Sequence, residues 1–450
     1  MKFQYYLLGV VCYAVSAYAL APVLQEPEKL TELRRLGVTA PDFEKKRTPG
    51  VHFGGFINTD VFWDTRQVFG FRDGHELFFP LDRRPDVRGR DINAVGDFDE
   101  FAARTRLWAL ITGPNLAHFY SLGAVEIDFW GSNQTSIGQC RMRQAYLSIY
   151  DDFFTVLIGH YWHPIFLPEM FPATLSFDTG APFEAICRDP QVRIEFQMDN
   201  TRLIIAALSE ATDFKSLGPA ADTSFTLTPI FDTKFCRNSM TPIITAQVQQ
   251  RIHEHLVGAG VDAHFLRPRL ETINDYKAHE WVSSLSAYVF GMLKYGAFQV
   301  KNKLIYVQNG PAYSMNGGYG IAYDDPITDH REYTNICVLS YWLEIMYDKK
   351  ISPGLFIGIQ KNLGARRQLA LLSTVPGATD YSQLIYGLGQ NIDIEFRVSP
   401  RILFTYKTLQ FGAELEVTGA RYGKVQRSGK VAPVDSVVNY RPWLSAFYYF

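Results

Sequence analysis

Two basic motifs sit in stretches where apolar and polar residues alternate. Arg104 and Arg106 flank Thr105 in AARTRLWAL, and Arg141 and Arg143 flank Met142 in CRMRQAYLSIY. Between them, VEIDFW carries Glu126 and Asp128. Residues two apart on a strand point to the same face, so each pair projects in one direction. Guanidinium groups gathered on a face take carboxylate or phosphate in a bidentate fork. The alternative is that arginines and acids pair with one another and merely fill space. That holds readily for any single residue, but Glu126 and Asp128 alone do not easily neutralise four cations. The same reading puts Arg193, Arg251, Lys301 and Lys303 on the polar face, with the acids Glu195, Glu344, Asp393, Glu395, Glu414 and Glu416. The cations fall mostly early in the chain and the acids late. If consecutive strands are neighbours, one wall is arginine-rich and the opposite wall acidic.

His160 and His163, with Glu169 beyond them, raise the question of a metal. Histidines three apart at a strand end present poor ligand geometry, and no cysteine adjoins them. The expectation is lumen-facing polar residues, with no metal and no cofactor. Of the five cysteines, Cys12 lies in the leader, and Cys140, Cys187, Cys236 and Cys337 are far apart without a CxxC pair. A zinc site is disfavoured on that spacing; Cys187 and Cys236 lie in loop-like stretches and could pair. His253-Glu254-His255 sits near a turn, and the chain contains no G-x-S-x-G. A hydrolase embedded in the structure is therefore the weaker alternative, and no enzymatic activity is expected.

The elements that would position these groups are strands. The chain has 450 residues, net charge −2, 14% aromatic and 20% charged residues, with mean hydropathy −0.08. The small net charge speaks against a nucleic-acid partner. Met1-Lys2, the apolar run from Tyr5 to Ala14 and Ala17-Tyr18-Ala19 read as a signal peptide over 1–19. Residues 20–50 read as a periplasmic lead-in, and from 51 to 450 the period is two. No later run of about 18 apolar residues suits a transmembrane helix.

Alternating segments are expected near 53–64, 101–112, 116–130, 139–150, 153–162, 190–198, 202–209, 241–251, 254–265, 281–294, 297–308, 334–347, 351–360, 383–398, 402–417 and 438–450. Many run about 10 residues or more, as a tilted strand crossing a bilayer requires. Turn signals stand at Asp151-Asp152, Asp199-Asn200, Lys349-Lys350 and Ser399-Pro400. Short turns alternate with long segments at 67–96, 162–189, 209–240, 268–280, 310–332 and 419–435. This is the connection pattern of outer-membrane barrels. The expected fold is all-β: a transmembrane antiparallel β-barrel of about 16 strands, wide enough for an aqueous channel. The stretch IGHYWHPIFLPEMFPATLSFDTGAPFEAICRDP is rich in proline and aromatics and too apolar for a free loop. It is expected to fold into the lumen or over the mouth as a constriction loop. At the C-terminus, Val438, Tyr440, Leu444, Ala446, Tyr448 and Phe450 share a lipid-facing side, against Asn439, Arg441 and Ser445. Such a closing strand, ending in Phe450, resembles the signal read by the barrel assembly machinery.

From 51 to about 166 the motifs resemble one family. GGFINTDVFWDTRQ, AARTRLWALITGP, AVEIDFWG and CRMRQAYLSIYDDFFTVLIGHYW look like the successive strands of the DcaP-like trimeric outer-membrane porins. Beyond 200 the barrel pattern and the terminal Phe are what agree. The resemblance implies a homotrimer in the outer-membrane lipid that passes small anionic solutes, such as dicarboxylates, through an arginine-lined constriction. It carries over to Arg104, Arg106, Arg141, Arg143 and the region of His160–His163. The N-terminal coiled coil of some members is at most vestigial in residues 25–47, and FFPLDRR near 78–84 departs from the pattern, so substrate choice does not transfer. A structural or adhesive barrel without an open lumen is the competing class.

Overall fold

The structure, a computed structural model, describes residues 49–133, 135–176, 179–211, 215–220 and 229–450. The expected signal peptide, and the expected lead-in as far as residue 48, lie outside the described residues. From Gly50 onward the regular structure of the described residues is almost all strand. The first part holds β1 (Gly50–Asp64), a hairpin of β2 (Val68–Phe71) and β3 (Glu76–Pro80), then β4 (Asp97–Phe101), β5 (Arg106–Thr112), β6 (Tyr120–Asp128), β7 (Arg141–Tyr150) and β8 (Phe154–Trp162). The middle holds β9 (Arg188–Met198), β10 (Thr201–Leu208), the small pair β11 (Leu217–Pro219) and β12 (Pro229–Phe231), then β13 (Ile243–Ile252), β14 (His255–Leu266), β15 (Val282–Tyr295) and β16 (Phe298–Gln308). The last part holds β17 (Gly317–Asp324), β18 (Arg331–Tyr347), β19 (Ile351–Ala365), β20 (Ile385–Leu388), β21 (Ile392–Tyr406), β22 (Leu409–Val425) and β23 (Val431–Tyr449).

Each long strand pairs antiparallel with its successor, and β1 pairs with both β23 and the β4–β5 strand. The ring is therefore closed, with 16 wall strands. Closure leaves no unpaired edge, which lets a sheet stand in lipid. Phe450 completes it: its amide and carbonyl exchange hydrogen bonds with Gly55 at 3.1 Å each.

Alternation sorts the wall residues. On β23, Asn439, Arg441, Trp443 and Ser445 are buried inward, while Tyr440, Leu444 and Tyr448 face out. The outer face is apolar along the wall, with Ile57, Leu107, Val125, Leu147, Val192, Ile205, Val261 and Leu304 exposed. Aromatic residues mark the short-turn end, at Tyr295, Tyr347, Tyr448 and Phe450, as the interface girdle of a membrane barrel does. The short turns at 151–153, 199–200 and 348–350 stand where expected.

Three expectations change. Ser399-Pro400 is not a turn: β21 runs through it, with Leu355 opposite Pro400. The turn comes at Lys407, whose φ of 52° supplies the left-handed step a tight hairpin needs. The segment 419–435 is mostly strand, because β22 and β23 stay paired from Leu409↔Tyr448 up to Val425↔Val431. The single strand expected over 101–112 is broken: β4 and β5 both pair with β1, and the chain between them bulges out of the ladder. Tight packing explains the paired glycines of GGF. A Cβ on Gly54 would lie 2.3 Å from the Trp108 ring.

The long-loop end is packed. Phe78 and Phe79 of the β2–β3 hairpin pack with Leu217 and Phe235, with Tyr319 and Ile321 of β17, and with Leu369, Leu384 and Tyr386. These residues come from segments far apart in sequence and form one apolar cluster at that end of the barrel.

Candidate functional site

The segment between β8 and β9 enters the barrel, and its described residues are almost all buried. Inward side chains from many strands hold its backbone. Gln247 of β13 donates to the Pro164 carbonyl (2.7 Å), and Lys303 of β16 to that of Ile165 (2.5 Å). Lys301 donates to the Phe171 carbonyl (3.3 Å). Glu344 of β18 accepts from the Ala173 amide and Glu414 of β22 from the Leu175 amide, both at 2.7 Å. Ser340 and Gln360 donate to the carbonyls of Phe183 and Pro182. Inside the loop, Glu184 is clamped by Lys303 (2.5 Å) and by the Trp342 indole. A loop rich in proline and aromatics carries few side-chain donors of its own, so the wall satisfies its backbone.

The arginines meet on strands β5 to β7. Register sets Arg106 opposite Asp128, and Asp128 opposite Arg141. Asp128 takes Arg141 in a bidentate fork (2.9 and 2.7 Å) and also accepts from Arg143 at 2.9 Å. Glu126 accepts from Arg143 at 2.6 Å and lies 3.7 Å from Arg106. Arg104 stands in the bulge between β4 and β5. There it reaches Asp60 at 3.7 Å and donates to the Leu175 carbonyl. Four guanidinium groups thus share the carboxylates of Asp60, Glu126 and Asp128. Aromatic faces support them: Arg104 lies over Phe447, Arg106 over Phe56 and Arg143 over Trp162, at 5.1, 5.1 and 5.7 Å from the ring centroids.

A β-bulge at Arg143 turns Gln144 inward. The register shifts between Glu126 and Ile127, so Arg143 and Gln144 both turn inward and are buried, while Met142 is exposed. A bulge re-aims a side chain in this way. Alternation gives the right face for Arg141 and Arg143, but it fails for Gln144 onward.

Other expected residues lie elsewhere. Arg193 pairs with Glu195 (2.6 Å), which also takes Arg202 of β10. Arg251 forks onto Glu169 of the lumen loop, both contacts at 2.7 Å. Lys301 and Lys303 serve the loop rather than the arginine group. His160 is buried near the end of β8, opposite Ala145 and Pro190. His163 lies against Asp262 at 3.1 Å. Among the described residues His160, His163 and Glu169 form no ligand cluster, and Glu169 is paired with Arg251. Asp393 pairs with Lys361 and Arg421. Cys187 and Cys236 are both free thiols rather than a disulfide.

The walls do not divide by sign. Among the late acids stand Arg397, bonded to Glu414 (3.0 Å) and Ser176 (2.7 Å), Arg401, bonded to Glu344 (2.5 Å), and Arg441, forked onto Asp64. Arg441 stands on the inward side of the closing strand as expected, whereas Arg397 and Arg401 are inward arginines that the sequence pattern did not single out. Nor did it single out Asp60. The inward phase of Asn58, Asp60 and Asp64 on β1 was the available signal.

No family model and no curated protein sequence matches the chain. Solved structures do. The outer-membrane channel DcaP of Acinetobacter baumannii superposes with a TM-score of 0.63 at 18% identity, over 91% of this chain and 99% of that one. In-vitro folded OmpT of Vibrio cholerae, an outer membrane protein, gives 0.52 at 12% identity over 91% and 100%. Its trimer form gives 0.50 at 12% identity over 90% and 100%. The chain therefore has the fold of these outer-membrane barrels: a closed, porin-like antiparallel β-barrel of 16 strands with a loop folded into its lumen.

Proposed function

We propose that the chain is an outer-membrane porin that passes small hydrophilic anions, of the dicarboxylate class, by passive diffusion. The observation that carries this reading is the group of Arg104, Arg106, Arg141 and Arg143 beside the lumen loop. Glu126 and Asp128 neighbour that group; Arg193, Arg251, Lys301 and Lys303, with His160 and His163, stand apart from it and complete the inward lining in this reading. Guanidinium groups held by packing offer an incoming carboxylate pre-organised donors. The likeness to DcaP and to the trimer form of OmpT supports a homotrimer. Phe450, on the closing strand, is the segment offered to the assembly machinery.

The test is conductance of the purified, folded protein in a planar bilayer under a salt gradient. Stepped openings in threes and a reversal potential on the anion side are expected. One observation favours a second reading, a barrel closed to ions. Inward groups such as Arg397, Glu395 and Arg441 are almost wholly buried, and an apolar cluster is packed at the long-loop end. A heat-modifiable, folded barrel without conductance would establish that second reading and sink the first.

A further inference from the structure

Two sets of metal-ligating side chains come together near the long-loop end, and neither takes part in the arginine group. One is His163, Cys187 and Asp189; the other is Glu210, Cys236 and His264. Within each set the ligand atoms lie within 4.8 Å of one another, and all six residues are buried. The second set draws its members from three places. Glu210 follows β10, Cys236 lies in a helical turn at Lys234–Arg237, and His264 is on β14. A backbone hydrogen bond from the Arg267 amide to the Phe235 carbonyl (2.8 Å) holds that turn against the end of β14.

We propose that Glu210, Cys236 and His264 bind one divalent transition-metal ion, zinc by its ligand chemistry. Thiolate, imidazole and carboxylate together form a borderline-soft set that suits zinc. Binding forms a bond from the metal to the Cys236 sulfur and releases the thiol proton to solvent. One thiolate, one carboxylate and a neutral imidazole then balance a dication, so the buried site carries no net charge. That neutrality matters where an unpaired charge is costly. Three protein ligands leave a fourth tetrahedral position for water.

Unpartnered polar atoms point to the same place. Glu210 Oε2 is buried without a hydrogen-bond partner, and His264 Nε2 faces Glu210 Oε1 at 3.2 Å beside the Cys236 thiol. Asn309 supplies the outer support. Its amide nitrogen lies 3.2 Å from His264 Nδ1, while its side-chain oxygen is buried and unpartnered. Turning that amide by half a turn sets the oxygen opposite Nδ1. The imidazole proton then sits on Nδ1 and Nε2 is free to bind metal, the usual arrangement behind a ligating histidine. The turn gives up the bond that the Asn309 amide donates to Ser216 Oγ (2.7 Å); the Ser216 hydroxyl, which donates to Glu210, then donates to the Asn309 oxygen instead and frees the carboxylate for the ion. The first set is less suited. His163 Nδ1 accepts from the Ile165 amide (3.1 Å), which places the ring proton on Nε2, facing Asp262.

The ion would fasten Glu210 and the helical turn at Lys234–Arg237 to β14 of the barrel wall, at the apolar cluster that includes Phe235 and Cys236. This assignment does not depend on the channel being open. The test loads the folded full-length barrel with zinc sulfate, removes excess ion by gel filtration and measures zinc per chain by mass spectrometry. One ion per chain is expected, with a zinc–sulfur distance of about 2.3 Å by X-ray absorption. Cys236→Ser and the near-isosteric Glu210→Gln should each lower retained zinc at least tenfold, and Cys187→Ser should leave it unchanged. Glu210→Gln decides the matter if Cys236→Ser does not fold. Retention below a tenth of an equivalent by the folded wild type overturns the proposal and leaves an imidazolium–carboxylate pair. Loss in Cys187→Ser with retention in Glu210→Gln overturns it in favour of the neighbouring set.

Discussion

Asp128 is the hinge of the arginine group, since it serves both Arg141 and Arg143. Replacing it with Asn removes a buried anion while keeping the volume. Breaking a buried pair from one side costs about 3–5 kcal/mol, so Asp128→Asn should lower the melting temperature of the barrel, followed by heat-modifiability. It should also move the reversal potential further toward anions. Charge reversal in Arg104→Glu with Arg106→Glu should move the same potential toward cations; an unchanged value in a folded double variant would refute their pore-lining role. A spacing of two puts Arg141 and Arg143 on one face of β7; Arg104 lies in the bulge between β4 and β5, so alternation does not set its direction relative to Arg106. The inward phase of Asp60 could be read from β1, but its contact with Arg104 could not, because the bulge between β4 and β5 brings Arg104 to it and no periodicity announces a bulge.

At the scale of elements, the lumen loop and the short turns answer to different forces. The loop is anchored by the Lys303–Glu184 pair in its stem. Lys303→Met leaves Glu184 without its cation, and the same one-sided cost of about 3–5 kcal/mol falls on the loop. The expected outcome is noisier and larger single-channel conductance with the wall intact by circular dichroism. The β7–β8 turn is pinned by Asp151, which accepts the amides of Phe153 and Phe154 at 2.8 and 2.7 Å. Those bonds hold its carboxyl below the usual range. A depressed folded value stabilises the turn above the unfolded value of about 3.9, and that contribution is lost as pH falls through the folded one. The amide shifts of Phe153 and Phe154 should therefore titrate with a midpoint below about 3.9. In Asp151→Asn they should not titrate.

For the whole molecule, closure depends on β23 and its last residue. Phe450 sits outward with its backbone paired to Gly55, and Tyr448 and Leu444 continue the outer face. Deleting Phe450 should lower the amount of assembled, heat-modifiable barrel without changing synthesis, measured by pulse labelling; normal assembly would show that the terminal residue carries no signal. The apolar cluster at the opposite end is a property of the whole chain as well. Phe78, Phe235, Tyr319 and Tyr386 meet there although long stretches of sequence separate them.

The sequence by itself determined the wall. A strand's period of two is local, so burial on one side and lipid on the other write themselves into Tyr440, Leu444 and Tyr448 against Asn439, Arg441 and Ser445. It also exposed the lumen loop, because a long segment rich in proline and aromatics has no stable place in water. Tertiary structure decided what alternation does not encode. Pro400 reads as a turn, yet the pairing of β21 with β19 and β22 on both sides carries the strand through it. Gln144 changes face at a bulge, and the late acids gain Arg397, Arg401 and Arg441 as partners. The meeting of Glu210, Cys236 and His264 was equally invisible, since ligands on a loop, a helical turn and a strand have no spacing to read. Contacts between distant segments depend on how the barrel closes, and closure belongs to all sixteen strands together.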